Sequence, residues 1–261
     1  MDSLARVTMR RIPMRGFPWH IFAPPLQGNA GQTYAQKVLD IQTANLIGYW
    51  PLWEAAGVTA ADQSAQANNG SYTGVDLAQP GIGDGNTCPY FGGSGDYVNV
   101  YSAGLASDFN SQELTVALWV KVNAASFWTD AAYHYIIRLG ADVANVISFD
   151  KQNTNNSLQL AYTAGGTTDQ YYGTGHSDTG WIHLALTVSK AADQLKAYKN
   201  GSQIGATQTT LGAWVGSLAS TLSVIGAQNT TPAAVHNGYI AHVALWTMAL
   251  DAAQIASLAT V

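Results

Sequence analysis

From residue 46 to residue 246 the chain alternates between short apolar or two-residue-periodic runs and clusters of Gly, Asn, Asp, Ser and Thr. No other feature limits its fold as tightly. Runs at 46–52, 97–101, 114–122, 136–139, 146–150, 157–162, 181–189, 194–199, 220–225 and 238–246 have strand length and are rich in β-branched and aromatic residues. Asn200-Gly201 directly follows one of them and predicts a hairpin, because both central positions of a type I′ turn need positive φ. Hardly any helix and no βαβ spacing lies between the runs, which argues against a parallel sheet. The expectation is therefore an all-β antiparallel sandwich, with 54–74 as a long polar loop region. Short helices flank it. The first, at 33–44, has Thr33 as cap with Gln36 three residues on, and Tyr34, Val38 and Ile41 on one face. The second, at 250–258, has Asp251 and Gln254 spaced as a capping box, with Ile255 and Leu258 facing the core.

Composition narrows the setting. Apolar residues make up 47% of the 261, enough to fill one large core, while charged residues are only 10%. The surface must then be carried by Asn, Gln, Ser and Thr, which suits a virion or an extracellular surface. Cys88 is the single cysteine, so no intrachain disulfide forms and the thiol is expected to act as a small buried hydrophobe.

Residues 1–45 read differently from 46–261. Four of the eight prolines lie before residue 32, with Phe17, Trp19 and Phe22 between them, which predicts an extended arm leading into the short helix. Before Asn45 the basic residues Arg6, Arg10, Arg11, Arg15 and Lys37 face only Asp2 and Asp40, a surplus of three positive charges, whereas the whole chain carries −5. A basic arm on an acidic body is suited to docking. Aromatics among the arginines favour protein subunits over nucleic acid as the partner, and a homo-oligomer or larger assembly is expected. No apolar run has the form of a secretory leader, and none approaches the ~20 residues of a membrane span.

Several segments together resemble laminin G-like domains of the concanavalin A-like lectin/glucanase superfamily. They are Leu46-Ile-Gly-Tyr-Trp-Pro-Leu52, Asp62-Gln-Ser64 with Asn68-Asn-Gly70, and Phe91-Gly-Gly-Ser-Gly-Asp-Tyr-Val98. Further along, the strand at 114–122, Trp181-Ile-His-Leu-Ala-Leu-Thr187, Ala197-Tyr-Lys-Asn-Gly201 and Gly238-Tyr-Ile-Ala-His-Val243 follow in the same order. The resemblance covers about 46–261 and implies a concanavalin A-like jelly-roll sandwich of two antiparallel sheets. In that fold Trp50, Trp119, Trp181 and Trp246 are expected as core aromatics.

Glucanases of the superfamily need clustered carboxylates, and a retaining site needs two about 5–5.5 Å apart. This chain has two glutamates, Glu54 and Glu113, neither with an acidic neighbour at alternate strand positions. No catalytic set is expected. The resemblance also implies calcium as the family's common ion, a hard cation that takes oxygen ligands. Asp62, Asn68, Asn69 and Asp84 are the candidate ligands here, although Ala241 and His242 stand where many relatives carry acids. Sugar binding would use loop aromatics that stack on pyranose faces, with Trp128 and Trp214 as the leading candidates and Tyr133, Tyr171 and Tyr172 beside them. Two functions are expected from these features. The first is a non-enzymatic component of a large assembly such as a bacteriophage virion (capsid decoration, fibre or tail) anchored by the arm. The second is a freestanding carbohydrate-binding or adhesive domain.

Overall fold

The structure is a computed structural model that describes residues 32–261. The arm residues Arg6, Arg10, Arg11, Arg15, Phe17, Trp19 and Phe22 lie outside the described residues. Thr33–Val261 is one compact unit.

Helix α1 (Tyr34–Asp40) opens it. Strands β1 (Leu46–Trp50), β2 (Thr59–Ala60), β3 (Gly70–Thr73), β4 (Asp76–Pro80), β5 (Thr87–Gly92) and β6 (Tyr97–Asn99) follow, then helix α2 (Ala103–Asp108). The remaining strands are β7 (Glu113–Val122), β8 (His134–Gly140), β9 (Val146–Lys151), β10 (Leu158–Ala164), β11 (Thr167–Gly173), β12 (Ile182–Ser189), β13 (Gln194–Lys199), β14 (Ser202–Gln208), β15 (Ser223–Ile225) and β16 (Asn237–Trp246). Helix α3 (Ala252–Leu258) closes the chain. One sheet runs β14-β13-β12-β7-β16-β5-β4 with β1 also paired to β16, and the other runs β11-β10-β9-β8-β15-β6-β3-β2. The strand pairs are antiparallel.

The two sheets enclose a core that includes Ile47, Trp50, Leu118, Phe149, Leu160 and Leu184. A second apolar cluster lies on the outer face of the first sheet, where Tyr49, Trp119, Tyr198 and Trp246 are buried beneath Tyr34 and Val38 of α1 and Ile255 and Leu258 of α3. The central strands β7 and β16 are therefore buried on both faces, which explains their nearly unbroken apolar runs. Trp119 and Trp246 belong to this outer cluster rather than to the inter-sheet core, and Trp181 is only partly buried at its margin.

The first helix, expected as part of the arm, belongs to the body. Thr33 caps it through Gln36 N, as the sequence predicts. Gln36 does not reach back to complete a box, because its amide donates to Asp40 instead. Lys37 on α1 donates to the carbonyls of Ser257 and Thr260, so it caps the open end of α3 and ties the helices together. The Asp251–Gln254 capping box is present in full. Asn200 and Gly201 have φ of 49° and 80°, as a type I′ hairpin requires. Strand β5, where Pro89 interrupts the run, does not appear in the sequence reading, and neither do β2, β3, β4, β11 and β14. The latter are short or polar, and their burial patterns show one dry face at most.

Candidate functional site

Among the described residues, the outer face of the second sheet carries no helix-covered apolar cluster, and most of its side chains are polar. On β9, Ile147 and Phe149 point into the core, so Ser148 and Asp150 point outward. On β10, Leu158, Leu160 and Tyr162 point inward and leave Gln159, Ala161 and Thr163 outside. Register then sets the rows. Tyr135, Asp150, Gln159 and Tyr172 oppose one another across β8, β9, β10 and β11. Arg138, Ser148, Ala161 and Gln170 form the next row.

These side chains are joined. Gln152 Nε2 donates to Asp150 Oδ2 at 2.5 Å and to Gln159 Oε1. Gln159 Nε2 in turn donates to Gln170 Oε1, and Ser148 Oγ donates to Asp150 Oδ1 at 2.8 Å. The result is an amide ladder with its acceptor end on Asp150 and its free NH2 on Gln170. Asp150 itself is 1% exposed. Burial drives its carboxyl up to about 6, against the hydrogen bonds from Ser148 and Gln152 and the charge of Arg138. Arg138 donates to the Gln228 carbonyl at 3.1 Å and lies over the Tyr135 ring. Tyr172 and Tyr133, 44% and 41% exposed, offer open aromatic surface near the two ends of the ladder.

Tyr133 is placed by a buried electrostatic anchor. Lys151 Nζ, fully buried, donates to Asp130 Oδ1 at 2.6 Å and to the Ala132 carbonyl. His134 bonds Asp130 Oδ2 through Nε2 and the Val235 carbonyl through Nδ1. Together these pin the loop that leads into β8.

The leading sugar-stacking candidates are elsewhere. Trp128 is 2% exposed, with Nε1 donating to the Asp178 carbonyl and its ring beside Phe127 and His176. Trp214 is 8% exposed, stacked on Tyr162 and donating to the Gly216 carbonyl. Both rings close loops over the core, since burying so large a ring with its N–H satisfied is worth more than exposing it. Tyr171 turns inward from β11 to His176, because strand alternation sends it opposite to Tyr172.

Three of the four candidate calcium ligands, Asp62, Asn68 and Asn69, are hydrogen-bonded within one loop, and Asp84 has other partners. Both oxygens of Asp62 are occupied by the amides of Tyr49, Ser64 and Asn68 and by the Ser64 hydroxyl. Asn69 Oδ1 accepts from Asp62 N, and Asn68 bonds the Ile47 carbonyl and Ser102. These residues knot the 62–69 loop onto β1. Asp84 has a different partner, His242 Nε2 at 3.2 Å, while His242 Nδ1 bonds the Tyr49 hydroxyl at 2.8 Å. Burial alone would raise the Asp84 carboxyl, but His242 and Asn86 outweigh it and hold it at about 2. His242 reaches this position from a bulge in β16, where its φ is 52°. Among the described residues, no group of three or more His, Cys, Asp or Glu side chains is placed to hold a metal ion.

Glu54 bonds the Tyr72 hydroxyl and Ala61 N, and Glu113 bonds Ser189 and Ala191 N. Neither lies on the glutamine face, where Asp150 has no second carboxylate among its hydrogen-bond partners. Asp150, Gln152, Gln159 and Gln170 were not singled out in the sequence, though one signal was available. Gly165-Gly166 sets a two-residue hairpin, both with positive φ, which fixes the β10–β11 register and brings Gln159 and Gln170 onto adjacent strands of one face.

A family model described as the concanavalin A-like lectin/glucanases superfamily, of laminin G type, matches residues 91–256. The chain belongs to the concanavalin A-like lectin/glucanase superfamily. Solved structures with this superfamily fold include domain 4 of AbnA, a GH43 extracellular arabinanase from Geobacillus stearothermophilus, in complex with arabinotriose. It is 18% identical with a TM-score of 0.59, over 83% of this chain and 98% of that one. The receptor-binding domain of a botulinum neurotoxin C/D mosaic serotype is 13% identical with a TM-score of 0.65, over 83% of this chain and 51% of that one. Trypanosoma rangeli sialidase in complex with sialic acid is 15% identical with a TM-score of 0.61, over 83% of this chain and 33% of that one. At these identities the likeness is one of fold. A search of curated protein sequences found no match. Among the described residues no helix is long and apolar enough to cross a membrane.

Proposed function

We propose that this superfamily domain is a non-catalytic carbohydrate-binding module, and that it holds a short neutral oligosaccharide across β8–β11 on the outer face of the second sheet. The observation that carries the proposal is the Gln152–Gln159–Gln170 amide ladder between Tyr172 and Tyr133. Amides donate to and accept from hydroxyls at once, tyrosine rings take the C–H faces of sugars, and the buried Asp150 fixes the ladder's polarity. Three strand spacings of ~4.8 Å give a face roughly 14 Å across, room for a short oligosaccharide. The arabinanase domain in complex with arabinotriose supports the reading as a relative in fold. With Glu54 and Glu113 engaged elsewhere, the face has no pair of carboxylates for glycoside hydrolysis.

A glycan array tests this. Tyr172→Ala and Gln159→Ala are each expected to weaken the strongest array hit about tenfold or more, a loss of ~1.4 kcal/mol. Both side chains are at least partly exposed, so the fold is expected to survive. Unchanged binding in both variants would remove the site.

A second reading, display of this domain by a large assembly such as a bacteriophage virion, is favoured by the charge separation between the basic first 45 residues and the acidic remainder. Deleting residues 1–31 should then abolish incorporation into the particle while leaving glycan binding intact. Normal incorporation of the truncated chain would end that reading.

A further inference from the structure

The outer face of the first sheet also holds a cleft, beside rather than beneath its helices. The cleft is about 280 Å3 and lies between strands β12–β14 and the segment Ala249–Ala252 that leads into α3. Its floor follows from register. Thr187 pairs with Lys196, Ser189 with Gln194, and Tyr198 with Gln203, all facing away from the core residues Leu186, Val188 and Leu195.

The polar groups of this cleft are only partly satisfied. Among the described residues, Lys196 Nζ forms no ion pair or hydrogen bond, and the Gln194 amide has no partner. Asp251 spends Oδ1 on Gln254 N at 2.8 Å. Lys196 and Asp251 line the same cleft without forming an ion pair. Ala249, Leu250 and Ala252 add an apolar wall.

We infer that this cleft is a second binding site, for a single acidic sugar ring of the hexuronic acid class. The sugar carboxylate pairs with the Lys196 ammonium, a charge-assisted contact strengthened by the partly desolvated cleft. Ring hydroxyls bond the Gln194 amide and donate to the Asp251 carboxylate and to Gln203 Oε1, whose Nε2 is held by the Gly205 carbonyl and the Thr207 hydroxyl. The C–H face of the ring lies on Ala249 and Ala252. The volume is enough for one ring. The inference goes beyond the glutamine face and does not depend on it, since the two sites are on different sheets.

The test is an amide NMR titration of the 15N-labelled full chain with methyl β-glucuronide and, separately, methyl β-glucoside. The glucuronide is expected to shift amides within 187–198 and 249–252 and to bind at least tenfold more tightly than the glucoside. Lys196→Met should abolish that preference and Lys196→Arg should keep most of it. Tyr172→Ala with Gln159→Ala should leave the response intact, so failure here is separate from failure of the first site. Shifts absent from these segments, equal affinity for the two glycosides, or a preference that survives Lys196→Met would each overturn the inference.

Discussion

Acid is expected to unfold the protein cooperatively at about pH 3 to 4, and His183→Leu with His236→Leu is expected to lower that midpoint by about one pH unit or more. Both rings are fully buried, His183 against Trp119 and His236 against Phe91 and Phe127. No ring nitrogen of either makes a hydrogen bond of good geometry. Burial lowers His183 to about 3. Burial and the charge of His134 do the same for His236, against a small opposing effect of the Lys121 carbonyl. The native state thus keeps both rings neutral, whereas the unfolded chain binds two protons as pH falls below ~6.5. Stability is full above that value and is lost progressively toward pH 3, by roughly 5 kcal/mol per ring.

Asp150 works in the opposite direction. Its folded value of about 6 exceeds the ordinary aspartate value of 3.8, so protonation of the native state returns roughly 3 kcal/mol between pH 6 and 4. The two histidines and Asp150 together lose roughly 7 kcal/mol by pH 3, comparable with the whole stability of a domain. Asp84, held at about 2, adds to the loss as it protonates. Leucine at 183 and 236 removes the titration without orphaning a partner. Tryptophan fluorescence against pH reads the midpoint, and an unchanged midpoint in the double variant would contradict the assignment.

Asp62→Ala is expected to cost about 3–5 kcal/mol, as large an effect as removing a core aromatic. The side chain is 7% exposed and accepts from three backbone amides and one hydroxyl, which belong to β1 and to the loop before β3. Alanine would leave those donors buried and unpaired, each worth ~1–3 kcal/mol if no water reaches it. Asp62→Asn keeps one acceptor and should fall between the variant and the parent. Urea denaturation measures both. A cost below about 1 kcal/mol for Asp62→Ala would show that the loop does not depend on this carboxylate.

Asp62 also marks how far the sequence could be read. Its place beside Asn68 and Asn69 is visible there, but the same oxygen-rich pattern serves a cation or a ring of backbone amides. Only the fold decides, by bringing Tyr49 N within 2.7 Å. The long buried strands β7, β12 and β16 were legible because the apolar runs reflect burial on both faces. The hairpin at Asn200-Gly201 and the α3 capping box were legible because their signals are local. Polar edge strands such as β11 and β14 were not, since alternation fades where neither face is fully dry.

The candidate site was half legible. Tyr133 and Tyr172 were singled out as exposed aromatics and are exposed. Trp128 and Trp214 follow the same loop logic but are drawn into the core by ring size and by carbonyl acceptors for their N–H groups. The glutamine ladder needs three strands in register, information that no single stretch of sequence contains. His242 is a similar case, because only the bulge in β16 turns it toward Asp84 and Tyr49.

The most direct test of the glycan-binding account is a crystal structure of the protein with the oligosaccharide that binds best on the array. The account predicts sugar density over Gln159 and Gln170, with Tyr172 and Tyr133 against the rings near its two ends. Density on any other surface, with the glutamine face bare, would contradict it.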